Sequence, residues 1–270
     1  MVAVILRILS TVLVFSMVRG GRAPNSASPP QGTSATVHAG ISKEELEKET
    51  RVDEFLEGAS QELRRKDYPK AIKQAESALD FVSQVQDAYR RNRATDDALD
   101  YLGKSYIYLR EFQQAEEVYH RRLALERKYE TFESSIAGNL QMLGMIEGAQ
   151  GRWGPAISFY LQSSRYLDEC IQHYKKSDDY DPQDIVANNQ RRQKSELLLY
   201  LGAAYSQEGK IVEALRSCDE AYLLGEKFHA QPASLMRIAE AAIGLLKGSG
   251  QSNGLDMWQA REKSLRSRIP

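Results

Sequence analysis

The chain has 270 residues, with 36 Lys and Arg against 37 Asp and Glu, which gives a formal net charge of -1. This balance argues against a protein that mainly coats nucleic acid, because such a surface needs a positive excess. Two cysteines are too few for a disulfide-stapled scaffold or a cysteine-rich zinc module.

Residues 1–22 are predicted to be a targeting segment or a marginal membrane anchor. Residues 2–18 are apolar except for Arg7, whereas a helix that spans a bilayer needs roughly 20 apolar residues. The segment contains arginines and serines and no acidic residue, which is typical of a mitochondrial transit peptide, but its apolar run also fits a secretory signal. These residues alone leave mitochondrial import, secretion and a retained anchor open.

The next segment, residues 23–43, is rich in Pro, Ser, Gly and Thr. This composition predicts a disordered linker. A helical repeat domain is predicted over residues 44–265, with repeats near 52–85, 96–129, 137–170 and 195–228 and a degenerate one at 234–264.

The repeat is defined by a small residue that is followed twelve positions later by an alanine. The four pairs are Ala59 and Ala71, Gly103 and Ala115, Gly144 and Ala156, and Gly202 and Ala214. Three positions before the second alanine stands a bulky residue: Tyr68, Phe112, Trp153 or Ile211. Small residues let two helices approach closely and the bulky residue fills the space between them, so we expect each glycine to meet the alanine of its pair across a helical hairpin.

The pattern Leu102-Gly103-x-x-Tyr106, followed by an aromatic residue and then Ala115-x-x-x-Tyr119, resembles the tetratricopeptide repeat (TPR). The resemblance implies an all-α fold, a right-handed superhelix of antiparallel helix pairs. Such repeats generally bind proteins or peptides.

Longer stretches are similar to the mitochondrial tetratricopeptide repeat protein 19 family: residues 63–81, 102–127 and 136–160, and a charged insertion at 167–194 before Leu198 and Gly202. This resemblance implies anchoring at the mitochondrial inner membrane, here through residues 2–18. It also implies association with respiratory complex III subunits and a role in the assembly and maintenance of that complex.

No enzyme motif is present: the chain lacks H-E-x-x-H, the phosphate-binding loop and the G-x-S-x-G elbow. We therefore predict no enzymatic activity, no catalytic residue, no cofactor and no metal site. The basic clusters, such as Arg121-Arg122, have acidic residues nearby, and we predict solvated helix faces rather than nucleic-acid contacts.

A partner groove is predicted along the first helix of each pair, for an extended or helical peptide. Its candidate residues are Leu56, Leu63, Asp100, Lys104, Ile107, Gln141, Met145, Leu199 and Ala203. The alternatives to a mitochondrial scaffold are a secreted or cytosolic TPR adaptor and an RNA-binding helical repeat.

Overall fold

The computed structural model describes residues 42–129, 133–176 and 185–269. Over these ranges the chain forms ten α-helices and no strand, so the predicted all-α class is confirmed for this part of the chain. The helices divide into two compact units, and the boundary between them in the sequence is near residue 130. The predicted targeting segment and linker lie outside the described residues, except for the last two linker positions.

The N-terminal unit contains four helices: α1 (Lys43–Arg65), α2 (Tyr68–Val82), α3 (Ala88–Leu109) and α4 (Phe112–Lys128). Helices α1, α2 and α3 each begin after a polar side chain that accepts a hydrogen bond from the backbone of the first turn. These capping residues are Ser42, Asp67 and Asp87. Such caps satisfy backbone donors that a helix leaves free at its start.

The C-terminal unit contains six helices. They are α5 (Glu133–Ala149), α6 (Trp153–Lys176), α7 (Ile185–Gln207), α8 (Ile211–Lys227), α9 (Pro232–Ser249) and α10 (Leu255–Arg266). The predicted charged insertion, residues 167–194, forms the second half of α6 and the start of α7, apart from residues 177–184, which are outside the described ranges.

Four hairpins, α1–α2, α3–α4, α5–α6 and α7–α8, close with the same turn. A residue one or two positions after the first helix has a positive φ: 65° at Lys66, 62° at Arg110, 77° at Gly151 and 74° at Gly209. Its N–H donates to the carbonyl three residues earlier and the next N–H donates to the carbonyl five residues earlier, at 2.9–3.1 Å. This is the Schellman motif, and it fixes where each first helix stops.

Within each unit, helices pack against their neighbours in sequence and some also against the next helix but one. In the N-terminal unit α1 contacts α3, and in the C-terminal unit α5 contacts α7 and α7 contacts α9. The first helices of successive hairpins therefore lie side by side within each unit. This stacking buries a continuous core, which in the C-terminal unit runs from Ala137 to Leu265 and includes Trp258 of α10.

Candidate functional site

Two glycines of the repeat, Gly103 and Gly144, lie against the ring of a tyrosine. A Cβ built on Gly103 would be 2.7 Å from Cε2 of Tyr119, and one built on Gly144 would be 2.5 Å from Cε1 of Tyr160. Each tyrosine stands four residues after the repeat alanine. The expected contact between glycine and alanine is thus displaced by one helical turn, because the long aromatic side chain reaches across the interface.

In the last hairpin the expected alanine is the nearest neighbour. A Cβ on Gly202 would lie 3.1 Å from the carbonyl oxygen of Ala214 and 3.5 Å from Sγ of Cys218. Cys218 stands where the two preceding hairpins have tyrosine, and its smaller side chain lets the two backbones come together. Burial raises the pKa of the Cys218 thiol to about 12, so the thiol stays protonated as a core residue.

The other repeat residues divide into two groups by their burial. The alanines have no exposed surface: Ala59, Ala71, Ala115, Ala156 and Ala214. The bulky residues are half-buried, and each is the first residue of the second helix of its hairpin: Tyr68, Phe112, Trp153 and Ile211. The Tyr68 ring stacks on Tyr108 of α3, with ring centroids 4.7 Å apart.

A charged cluster joins α3 to α4 in the N-terminal unit. The Arg122 guanidinium donates to both carboxylate oxygens of Asp96, at 2.7 and 2.9 Å, and to Oδ1 of Asp100 at 2.9 Å. Lys104 donates to Oδ2 of Asp100 at 2.5 Å. The Arg122 side chain is 15% exposed, so the predicted solvated face is wrong for this residue, because its partners stand 22 and 26 positions away on another helix.

Two opposing effects act on the Asp100 carboxyl. Burial alone would raise its pKa, but the charges of Lys104 and Arg122 outweigh burial and lower the pKa. Asp100 is therefore the negative centre that holds both cations.

Asp97, one position after Asp96, lies beside this cluster but outside its ion pairs. It is half-buried, and in the part of the chain that the structure describes it forms no hydrogen bond or ion pair. Burial, and then repulsion from Asp96, raise the pKa of Asp97, and they outweigh the charges of Arg93 and Arg122, which lower it.

The Tyr119 hydroxyl is a second polar group without a partner in this region. The Tyr119 side chain has no exposed surface, and its hydroxyl forms no hydrogen bond with any of the described residues. Burial raises its pKa well above the usual value, and the charges of Asp100 and Asp96 act in the same direction. The hydroxyl therefore lies within electrostatic range of the charged cluster.

No protein-family model matches the chain, and no curated protein matches it. Solved structures do match. BtubC from P. vanneervenii superposes with a TM-score of 0.65 at 16% identity, over 83% of this chain and 82% of BtubC. The apo form of RapI superposes with a TM-score of 0.66 at 14% identity. The matched region covers 81% of this chain but only 54% of RapI.

The third structure decides the fold. The kinesin light chain TPR-like repeats of Podosopora anserina superpose with a TM-score of 0.57 at 14% identity, over 82% of this chain and 97% of theirs. The fold is TPR-like. The superposition supports the TPR resemblance at the level of fold, and at 14% identity it adds nothing on the mitochondrial family.

The predicted groove residues of this TPR-like chain separate into half-buried and interior positions. Leu56, Leu63, Asp100, Lys104, Gln141 and Ala203 are half-buried. Ile107, Met145 and Leu199 are only 6%, 4% and 8% exposed. These three pack in the core, because the neighbouring helices cover a side of the first helix that the periodicity alone left open.

Neither a metal centre nor a membrane span is found among the described helices. No group of three or more His, Cys, Asp or Glu side chains there is arranged to hold a metal ion. None of these helices combines the length and the apolar character that crossing a bilayer requires.

Sequence reasoning missed Asp96, Asp97 and the partners of Arg122. One signal for the main ion pair was present. Asp96 stands seven positions before Gly103 and Arg122 seven positions after Ala115, so both occupy equivalent places around the repeat centre. The sequence gives no comparable signal for Asp97, because the absence of an ion pair there depends on how the surrounding helices pack.

Proposed function

We propose that this chain is a non-enzymatic scaffold for protein–protein interaction that supports the assembly or maintenance of respiratory complex III at the mitochondrial inner membrane. The observation that carries the scaffold part is the TPR-like stacking of hairpins. It places the first helices side by side and leaves Leu56, Leu63, Asp100 and Lys104 half-exposed on them. A face that mixes apolar and charged groups suits an extended or helical peptide.

The mitochondrial part of the proposal is supported by the sequence. Residues 63–81, 102–127 and 136–160 resemble the mitochondrial tetratricopeptide repeat protein 19 family, and the first 43 residues contain no acid. A transit peptide has this composition because a positive segment is drawn across the energised inner membrane. The apolar run at residues 2–18 would then serve as the anchor.

Fractionation of cells that express the full chain with a C-terminal tag tests the location. We expect the chain in the mitochondrial membrane fraction and, on native gels, in an assembly that contains complex III subunits. A variant without residues 1–22 is the control, and it should stay outside mitochondria. Recovery of the full chain from the secretory pathway or the medium would refute the mitochondrial part and favour the secreted adaptor.

A further inference from the structure

Several basic side chains gather around Phe228, the residue that caps the C-terminal end of α8. The Arg191 guanidinium of α7 lies 4.4 Å from the centroid of the Phe228 ring, and Lys227 Nζ lies 5.5 Å from the same centroid. Arg192 Nε donates to the Phe228 carbonyl at 3.3 Å. Three cations therefore meet at one residue, and we call Arg191, Arg192, Lys227 and Phe228 the Phe228 cluster.

The end of a helix does not account for this much positive charge. Unpaired carbonyls give a helix C-terminus about half a negative elementary charge, whereas each of the three basic residues brings a full positive one. Arg191 is only 3% exposed, so it is buried against the protein. Arg192 and Lys227 are exposed, and neither forms an ion pair with any described residue. The Phe228 cluster thus presents two accessible cations whose charge is not compensated.

The neighbouring Lys194 differs from these two cations. It pairs with Asp168 of α6 at 2.5 Å and with Glu220 of α8 at 3.8 Å, so its charge is compensated within the unit. Arg192, two positions earlier, uses only Nε, for the Phe228 carbonyl. Its two Nη atoms donate to no described residue, and such a guanidinium presents the donor fork that fits a carboxylate.

An apolar side chain lies beside these cations. Leu223 is 57% exposed and stands four positions before Lys227, so both project from the same side of α8, one helical turn apart. An exposed leucine by itself is ordinary on a protein surface. Next to two uncompensated cations, it adds an apolar contact to a site that attracts anions.

We infer that the Phe228 cluster, together with Leu223, binds a peptide segment of a protein partner in which an acidic side chain stands beside an apolar one. This rests on the proposed function as an interaction scaffold, and it names the chemistry of the partner. The aspartate or glutamate carboxylate pairs with Arg192 and Lys227, and the apolar side chain packs on Leu223.

A protein segment fits this surface better than a nucleic acid does. A phosphate backbone needs an extended run of cations, but on the adjoining surface Lys194 is already paired, and one of its partners, Glu220, is itself acidic. The aliphatic side chain of Leu223 offers no contact to a phosphate. A basic side chain would be repelled by Arg192 and Lys227, so the charge at this place also sets the specificity.

The test begins with a displayed library of random twelve-residue peptides selected on the full 270-residue chain. Peptides that the double variant R192Q/K227Q also retains are removed, which discards binders of other surfaces. In the peptides that remain, we expect aspartate or glutamate next to an apolar residue. The best peptide is synthesised with a fluorophore, and its affinity for wild type and variants is measured by fluorescence anisotropy.

Lys247 provides the matched control, because it stands exposed in the last turn of α9 as Lys227 does in the last turn of α8. We expect R192Q, K227Q and L223A each to weaken binding about threefold and R192Q/K227Q about tenfold, while K247Q leaves the affinity unchanged. Circular dichroism checks that each variant is folded. K227E should bind a version of the peptide with lysine in place of its acidic residue more tightly than wild type does.

Three results would each overturn the inference: selected peptides without acidic enrichment, no peptide left after the counter-selection, or an equal loss of affinity in K247Q and K227Q. Single-stranded RNA that binds through Arg192 and Lys227 more tightly than the selected peptides would overturn the choice of a protein partner.

Failure here can be distinguished from failure of the proposed function, because the peptide measurements use the purified chain and do not depend on its location in the cell. If the chain assembles with complex III in mitochondria but selects no acidic peptide, the scaffold proposal survives and the site at the Phe228 cluster does not. If the chain is secreted but binds the acidic peptide through Arg192 and Lys227, the site survives and the mitochondrial role does not.

Discussion

Asp96 on α3 and Arg122 on α4 are linked by two parallel hydrogen bonds. Asp96 stands seven positions before the small residue of its repeat, and Arg122 stands seven positions after the repeat alanine. In the C-terminal unit, a serine and an alanine occupy this same pair of positions. In α5–α6 the Ser163 hydroxyl donates to the Ala137 carbonyl at 2.7 Å. In α7–α8 the roles reverse, and the Ser195 hydroxyl donates to the carbonyl of Ala221 at 2.7 Å.

The two kinds of link should differ in their contribution to stability. We expect Arg122→Ala to lower the free energy of unfolding by about 3 kcal/mol, because it leaves the half-buried carboxylate of Asp96 without its cation and Asp100 with Lys104 alone. Ser163→Ala removes one neutral hydrogen bond and should cost about 1 kcal/mol. Chemical denaturation measures both, and hydrogen exchange in α3 and α5 peptides assigns each loss to its hairpin. Equal losses would contradict this account.

The close contacts at Gly103 and Gly144 predict that an added methyl group destabilises the fold there. Gly103→Ala and Gly144→Ala should each lower the free energy of unfolding by about 1–3 kcal/mol, since the Cβ would collide with a buried tyrosine ring. The control is Gly138→Ala on α5, where the new Cβ meets no atom within 4 Å. It should raise the free energy of unfolding by about 0.5–1 kcal/mol, because alanine favours the helix. Thermal or chemical unfolding gives the sign in each case.

The Tyr119 hydroxyl should cost stability in the unbound chain. An unpaired buried polar group carries a penalty of about 1–3 kcal/mol, so Tyr119→Phe should raise the free energy of unfolding by about 1 kcal/mol. The matched control is Ser105→Ala on α3, whose buried hydroxyl does have a partner, the Tyr101 carbonyl at 2.7 Å. That variant should lose about 1 kcal/mol. If both variants are destabilised alike in chemical denaturation, the Tyr119 hydroxyl has a partner after all.

The raised pKa of Asp97 predicts a pH dependence of stability. A carboxyl whose folded pKa lies above its unfolded value opposes folding when it is ionised, so its penalty is present at neutral pH and disappears as the pH falls. The groups that set this pKa are Asp96 and Asp100, which raise it, and Arg93 and Arg122, which lower it.

D97N should accordingly be more stable than wild type at pH 7. The difference should shrink as the pH falls through the folded pKa and vanish below the unfolded pKa. Denaturation of both chains between pH 4 and pH 8 measures it. A lower stability of D97N at pH 7 would show that the Asp97 carboxylate is favourably paired in the folded chain, contrary to its raised pKa.

The sequence by itself was sufficient for the all-α class and the TPR resemblance, because both follow from spacing along one helix and across one tight turn. Gly151 and Gly209 have positive φ where a helix ends. Glycine favours this conformation locally, so the end of the helix can be predicted from the sequence alone. The small residues at a fixed separation likewise indicate where two helices come close.

Only the tertiary structure decided what each residue meets. It placed Tyr119 rather than Ala115 against Gly103, enclosed Arg122 between Asp96 and Asp100, and buried Ile107. These outcomes depend on side-chain length and on helices more than twenty positions away in the chain, and neither is encoded in the period of one helix. The pKa of a carboxyl such as that of Asp97 likewise depends on all the groups that surround it, so it is determined only once the helices are packed.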